Sequence, residues 1–302
     1  MPYNLITILG PTATGKTRLA AKLAKEFNGE IISADSRQVY CGMDIGTGKD
    51  FEDYMVDNMK IPHHLIDVID PSEEFNLYKF NDLFDKSFDE IKSRNKIPFL
   101  VGGTGLYISS IIKRYKLPKA DFSERNLSSF DKYSIEELRN ILLNLNHNLH
   151  NTTDLLDRKR IIKAIIVAAT PDKNTINKRE QINSLVIGIK LSRAEIKKRI
   201  TTRLKNRLDH GMIAEVEGLL KDGLTYERLN YFGLEYKFIA LYLKKELNYN
   251  DMFQKLNSAI HNFAKRQMTW FRKMEKEGIK INWIEGPDFE HAKKIIHDNY
   301  DK

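Results

Sequence analysis

Leu5-Ile-Thr-Ile-Leu9 runs directly into Gly10-Pro-Thr-Ala-Thr-Gly-Lys-Thr17, and a helical stretch follows from Lys16 to Phe27. The apolar run shows no alternation, as expected of a strand buried on both faces of a parallel sheet. The next eight residues satisfy G-x-x-x-x-G-K-[ST] in the strand-to-helix setting that gives this motif its meaning. Its glycines let backbone N–H groups turn toward phosphate oxygens, and the helix start adds its positive dipole end. Lys16 supplies a mobile charge, and the Thr17 hydroxyl is placed for Mg²⁺. Gly10, Pro11, Thr12, Ala13, Thr14, Gly15, Lys16 and Thr17 are therefore the expected diphosphate- or nucleotide-binding residues.

Working outward, Glu30-Ile-Ile-Ser33, His64–Val68, Pro98–Val101 and Leu185–Leu191 read as further strands, and Phe80–Ser93 as a helix. Alternating strands and helices predict an α/β core with a parallel sheet. From Pro118 to Ser184 no strand is evident. Apolar residues there recur at helical spacing, as in Leu138, Ile141, Leu142 and Leu145, or Ile161, Ile162, Ile165 and Ile166. The expected organisation is a first core part over 1–117, a helical insertion over 118–184, and a return to the core over 185–302. One long helix is expected from Asp251 to Lys276. Phe253, Leu256, Ile260, Phe263, Gln267 and Trp270 form its inward stripe, with Lys255, Asn262, Arg266 and Lys273 on another face.

Composition narrows the class. The 302 residues are 41% hydrophobic and 30% charged, with a mean hydropathy of −0.47, which argues for a folded chain and against a membrane protein. The single cysteine, Cys41, rules out an internal disulfide and, with the rest, points to the cytosol. The net charge of +8 is uneven: residues 1–117 hold 15 basic and 16 acidic side chains, and the remainder 34 and 25. From Arg158 to Arg207, 15 Lys and Arg face three acids. Such a run is either a set of solvated helix faces or a footprint for a phosphate backbone.

Most motifs of this kind serve ATP or GTP, with an acid at a second strand tip to hold Mg²⁺. Here the strand Phe99-Leu-Val101 ends in Gly102-Gly-Thr-Gly105, without a carboxylate. The acid stands elsewhere, in Ala34-Asp35-Ser36. In a parallel sheet the strand ends share one crevice, so Asp35, Thr104 and the phosphate loop should face each other. Asp35 could serve a metal ion or take a proton from a nucleophile.

These blocks together resemble the tRNA dimethylallyltransferases of bacterial type, which lack a zinc-finger extension. The resemblance rests on Gly10–Thr17, Asp35-Ser36 with Tyr40, Gly42-Met-Asp-Ile-Gly-Thr47, and His63-His-Leu-Ile-Asp67 with Asp70-Pro-Ser72. It continues in Val101-Gly-Gly-Thr-Gly-Leu-Tyr107 and Ala264-Lys-Arg-Gln-Met-Thr-Trp-Phe-Arg272. It implies a P-loop-kinase-like core, a helical insertion closing on the anticodon stem-loop, Mg²⁺ dependence, and transfer of a dimethylallyl group from dimethylallyl diphosphate to N6 of adenosine 37. It further implies a monomeric cytoplasmic enzyme.

By that resemblance Asp35 is the base at N6, and Thr104 bonds the diphosphate bridging oxygen or positions N6. The tRNA contacts it implies are Asp35, Ser36, Arg37, Gln38, Thr104, Arg125, Lys159, Arg160, Ile161, Ile162, Lys163, Lys255, Lys265, Arg266 and Gln267. The target base is expected to be flipped out of its loop. At Asn230-Tyr-Phe-Gly-Leu-Glu-Tyr236 the chain departs from the family, which commonly carries Arg or Gln before this turn. The resemblance therefore assigns no diphosphate contact there. His63 and His64 read as structural and Trp270 as core. An adenylate isopentenyltransferase acting on free nucleotide and a small-molecule P-loop kinase are the competing readings.

Overall fold

A computed structural model describes residues 3–115, 117–145, 155, 157–170 and 180–300. The stretches 146–154 and 171–179 of the expected insertion lie outside the described residues. Six strands form one parallel sheet. They are β1 (Leu5–Leu9), β2 (Gly29–Ala34), β5 (His63–His64), β6 (Ile97–Gly102), β7 (Ser184–Lys190) and β8 (Ile281–Glu285), in the order β5-β2-β6-β1-β7-β8. The hairpin β3 (Met55–Val56) and β4 (Met59–Lys60) stands apart.

Strands β1, β2 and β6 are buried almost throughout, because both faces are covered. One face packs α1 (Lys16–Glu26) and α12 (Phe289–Tyr300) through Leu19, Leu23, Ile31, Phe99 and Ile296. The other face packs α2 (Leu77–Ser93), α3 (Gly105–Ile112) and α11 (Tyr249–Lys276) through Phe80, Phe84, Ile108, Leu256 and Phe271. Parallel register places Leu9 opposite Gly102, and Ala34 opposite Gly102. Three strand tips therefore end level, and the loops after them bring Thr12, Asp35 and Thr104 to one crevice.

The chain forms two compact units, one of residues 1–114 with 181–302, the other of 115–180. The second unit has its own small core, where α5 (Ile135–Leu145) and α6 (Arg158–Ala169) pack Leu138 and Leu142 on Ile161, Ile162, Ile165 and Ile166. No helix among the described residues is long and apolar enough to cross a membrane.

Two readings need correction. The strand expected over His64–Val68 stops after His64, since Leu65 and Asp67 turn into the left-handed region at φ 63° and 54°. The chain there re-pairs with the loop after β2: Val68 and Ile69 both donate to the Val39 carbonyl. The inward stripe of α11 runs through Met252, Leu256, Ile260, Ala264, Gln267, Phe271 and Met274, so Phe263 stands outside it, 39% exposed.

The segment from Tyr40 to Asp67 forms a wall of the crevice and is held by a fully buried lysine. Lys49 Nζ donates to the Tyr40 carbonyl at 2.6 Å, to Asp44 Oδ1 at 2.8 Å and to Asp67 Oδ1. Replacing Lys49 by Met leaves the buried carbonyl and two carboxylates without their donor. Loss of such charge-assisted bonds costs about 2–3 kcal/mol, and the expected fall in stability is read by urea unfolding of Lys49→Met.

Candidate active site

The phosphate loop keeps its shape through its own chemistry. Gly15 holds φ 81°, a left-handed conformation that costs glycine nothing. Thr14 Oγ1 donates to the Pro11 carbonyl at 2.9 Å, closing the turn from inside. A second tie comes from far along the chain. The Thr12 N–H donates to Gln267 Oε1 at 2.9 Å, and Gln267 Nε2 donates to the Gly103 carbonyl at 2.9 Å. A Cβ on Gly103 would lie 2.3 Å from Gln267 Nε2, and one on Gly105 2.2 Å from the Trp270 ring. Trp270 Nε1 completes the contact by donating to Ser109 Oγ at 3.0 Å. The motifs around Gly103 and Gln267 are thus two halves of one interface.

The strand tips enclose a cavity of about 260 Å³ lined by the phosphate loop, Asp35 and Thr104. Asp35 Oδ1 accepts the backbone N–H of Arg37 at 2.8 Å and of Gln38 at 3.4 Å, which fixes the carboxylate in an Asx-type turn. Oδ2 takes no hydrogen bond among the described residues and stays available to the cavity. Thr104 is the residue before α3, yet its hydroxyl caps no helix N–H. That leaves the hydroxyl, too, for a ligand.

Cations come from an element that motif reading passed over. The helix α7 (Arg193–Asp209) sends Arg203 and Arg207 into the same cavity. Arg203 Nη2 donates to Thr12 Oγ1, and no carboxylate among the described residues lies within ion-pair range of it. Burial lowers its pKa to about 10, helped by the neighbouring Arg207 charge. Burial likewise draws Lys16 down to about 8, against the pull of Asp35. Burial also pushes up the carboxyls of Asp53 and Glu235 in the same cavity. Desolvated cations without close counterions are costly, and an arriving anion relieves that cost.

Sequence comparison places this arrangement. The family model described as IPP transferase matches residues 38–274, and one described as isopentenyl transferase matches residues 3–61. The chain belongs to the IPP transferase family. It is 51% identical to tRNA dimethylallyltransferase 1 of Geotalea uraniireducens, over 95% of this chain and 94% of that one. It is 46% identical to tRNA dimethylallyltransferase 1 of Syntrophus aciditrophicus, over 99% of each. The crystal structure of the tRNA isopentenylpyrophosphate transferase from Bacillus halodurans is similar in fold, with a TM-score of 0.67 at 31% identity, covering 98% of this chain and 94% of that one. The sheet is the P-loop-like core of these IPP transferases.

The family's expected site residues fall into three groups. The phosphate-loop residues Thr12, Ala13, Gly15, Lys16 and Thr17 line the cavity, as do Asp35, Ser36, Arg37, Gln38 and Thr104. Gly10, Pro11 and Thr14 are buried beneath them. On α11, Lys255, Lys265 and Arg266 are exposed. In the insertion Arg125, Lys159 and Arg160 are exposed, whereas Lys163 is half-buried with its ammonium 5.7 Å from the Phe122 ring centre. Four expected RNA contacts are engaged within the protein itself. Ile161 and Ile162 are core residues of the insertion, because the apolar face of α6 must pack on α5. Gln267 is 7% exposed and spends both ends of its amide on backbone groups. Gln38 likewise spends its amide on the Gly48 carbonyl and Ser33. His64 pairs with the buried Glu30 at 2.8 Å, and His63 packs against the Tyr54 ring at a tilt of 35°.

Thr17 offers one hydroxyl oxygen to the cavity. Among the described residues no trio of His, Cys, Asp and Glu is grouped to cage a metal. This donor set suits Mg²⁺, which commonly takes one or two protein ligands and completes its shell with phosphate oxygens and water.

Lys16 gives the site a pH signature. Its amine, drawn down by burial, is charged below about pH 8 and loses its proton above, so anion binding then requires proton uptake. Pyrophosphate affinity of the native protein, divided by that of Lys16→Arg, should be level up to about pH 8 and fall roughly tenfold per unit above it. Isothermal titration calorimetry from pH 7 to 10 reads this directly. The linkage to folding has the opposite direction. The folded pKa of Lys16 lies below its ordinary 10.5, so its charge costs stability at neutral pH, and that cost disappears between about pH 8 and 10.5.

Proposed function

We propose that this protein transfers the dimethylallyl group of dimethylallyl diphosphate to N6 of adenosine 37 in tRNA, releasing diphosphate. The observation that carries the reading is the shared cavity: a phosphate loop with Lys16 and Arg203 on one side, Asp35 and Thr104 at the neighbouring strand tips. Breaking the allylic C–O bond develops negative charge on the departing diphosphate. Loop amides, Lys16 and Arg203 are preorganised to stabilise that charge without waiting for solvent to rearrange. Thr17 would hold a Mg²⁺ ion, which when bound would supply further charge neutralisation at the diphosphate.

The acceptor amine is a weak nucleophile, its lone pair delocalised into the purine ring. As the N6–C bond forms, the amine must shed a proton, and the free oxygen of Asp35 accepts it. Thr104 lines the same cavity with its hydroxyl uncommitted to a helix cap, so it is the residue assigned to hold the diphosphate oxygen or the amine. Base chemistry inside a cavity of this size requires the nucleotide to leave its stack. The exposed Arg125, Lys159 and Arg160 give the insertion a phosphate-binding face, and the anticodon stem-loop is the partner the reading assigns to it. A free nucleotide needs no such face, which disfavours adenylate as acceptor. A kinase would require a strand-tip acid where Gly102-Gly-Thr-Gly105 stands.

Asp35→Asn keeps the Asx turn and removes the base. Single-turnover transfer from labelled dimethylallyl diphosphate to unmodified tRNA should slow by about 10²–10⁴-fold, with tRNA affinity within a few-fold of native. Undiminished turnover would remove Asp35 from the chemistry. Replacing Arg160 and Lys163 together by Ala should weaken tRNA binding and reduce the slope of log affinity against log salt by about 1–2. A filter-binding series from 50 to 300 mM salt (roughly the range over which such slopes are read) checks it.

A further inference from the structure

Arg207 has no place in the chemistry above, yet its head group lies in the same cavity as Arg203, one helical turn away. Its side chain is only 12% exposed. A single nitrogen, Nη2, reaches the carboxylate of Asp50, at 3.1 Å and 3.4 Å from the two oxygens. Nε and Nη1 carry no hydrogen bond among the described residues. Most of the fork's donors are therefore unspent inside a polar cavity, where a guanidinium is costly without an anion.

Asp50 is a weak holder. It is 54% exposed, so water screens the pair. Glu235 is the other acid beside Arg207, and it attracts both arginines without forming an ion pair within 4 Å among the described residues. The opposite wall is shaped to the arginine. A Cβ at Gly48 would lie 2.1 Å from Arg207 Nη2, so the guanidinium rests directly on the Gly48 backbone. Two arginines one turn apart on a helix repel, and a ligand with two anionic groups turns that repulsion into shared attraction.

We infer that Arg207 is a second diphosphate-gripping arginine of the cavity, parked on Asp50 and handed over to the donor's diphosphate as it arrives. This rests on the reading of the cavity as an allylic diphosphate site. The handover makes Asp50 a competitor for the ligand rather than a part of its site. Arg203 grips beside the phosphate loop, and Arg207 closes from the Gly46–Asp50 side.

The test compares native protein with Arg207→Met, Arg207→Lys and Asp50→Asn. The readouts are the Kd for inorganic pyrophosphate with Mg²⁺, the KM for dimethylallyl diphosphate, the KM for tRNA, and the thermal midpoint. Arg207→Met should weaken pyrophosphate binding and raise the donor KM by about 10–100-fold, with the tRNA KM within twofold. Arg207→Lys should recover part of this, since it restores the charge but not the fork. Asp50→Asn should bind pyrophosphate as tightly as native or tighter. The inference is overturned if Arg207→Met binds pyrophosphate within twofold of native, or if the loss appears only in the tRNA KM or the thermal midpoint. Weaker binding by Asp50→Asn would overturn the handover. If native protein neither binds pyrophosphate nor transfers a prenyl group, the donor reading itself fails, and Arg207 falls with it.

Discussion

The carboxamide of Gln267 accepts the Thr12 N–H and donates to the Gly103 carbonyl, so one side chain spans the phosphate loop and the tip of β6. It sits on a 28-residue helix whose other buried residues reach across one face of the sheet. The loop is therefore held from outside as well as by its own turn. An amide is suited to this task because it offers an acceptor and a donor in one plane. Glycine at 103 and 105 lets Gln267 and Trp270 approach the backbone, and Ser109 satisfies the indole N–H. The interface is a mount for the active cavity.

Within that mount two buried cations have no carboxylate within ion-pair range among the described residues. Lys16 and Arg203 are drawn below their ordinary pKa values by burial, and the partner of Arg203 is an uncharged hydroxyl. Asp35 is different: its first oxygen is locked by two backbone amides, its second left to the cavity. On the proposed function, the two tasks of a group transfer, cations for the leaving group and a base for the acceptor, fall to residues of one cavity at strand tips that the parallel register brings level. Glu215 secures the remaining wall by accepting the N–H groups of Asp44, Ile45 and Gly46, with the Tyr236 hydroxyl as a fourth donor.

Local sequence patterns carried much of this. The unbroken apolar run of Leu5–Leu9 and the adjacent Gly10–Thr17 are enough to place a parallel strand, a phosphate loop and a helix, because both signals are confined to neighbouring residues. Asp35 and Thr104 were legible for a related reason, since strand ends in a parallel sheet share an edge. Long-range contacts left weaker traces. Arg203 and Arg207 sit in a run of basic residues, and nothing in their spacing separates the two that enter the cavity from those facing solvent. Spacing puts Gln267 on the inward stripe and resemblance makes it an RNA contact, but neither names its backbone partners, which lie more than 160 positions away. Strand β8 was missed because it is a short edge strand with only one neighbour, β7. The chain after His64 departs from its strand because the Val39 carbonyl offers a competing partner, a contact that hydrophobic pattern does not encode.

The most direct measurement follows both products of a single turnover. Purified protein, Mg²⁺, doubly labelled dimethylallyl diphosphate and an unmodified anticodon stem-loop are mixed, with ATP in a parallel reaction. One diphosphate released for each prenyl group fixed on the RNA, with no loss of ATP's terminal phosphate, is the predicted result. Cleavage of ATP's terminal phosphate with no prenyl group on the RNA would contradict the account.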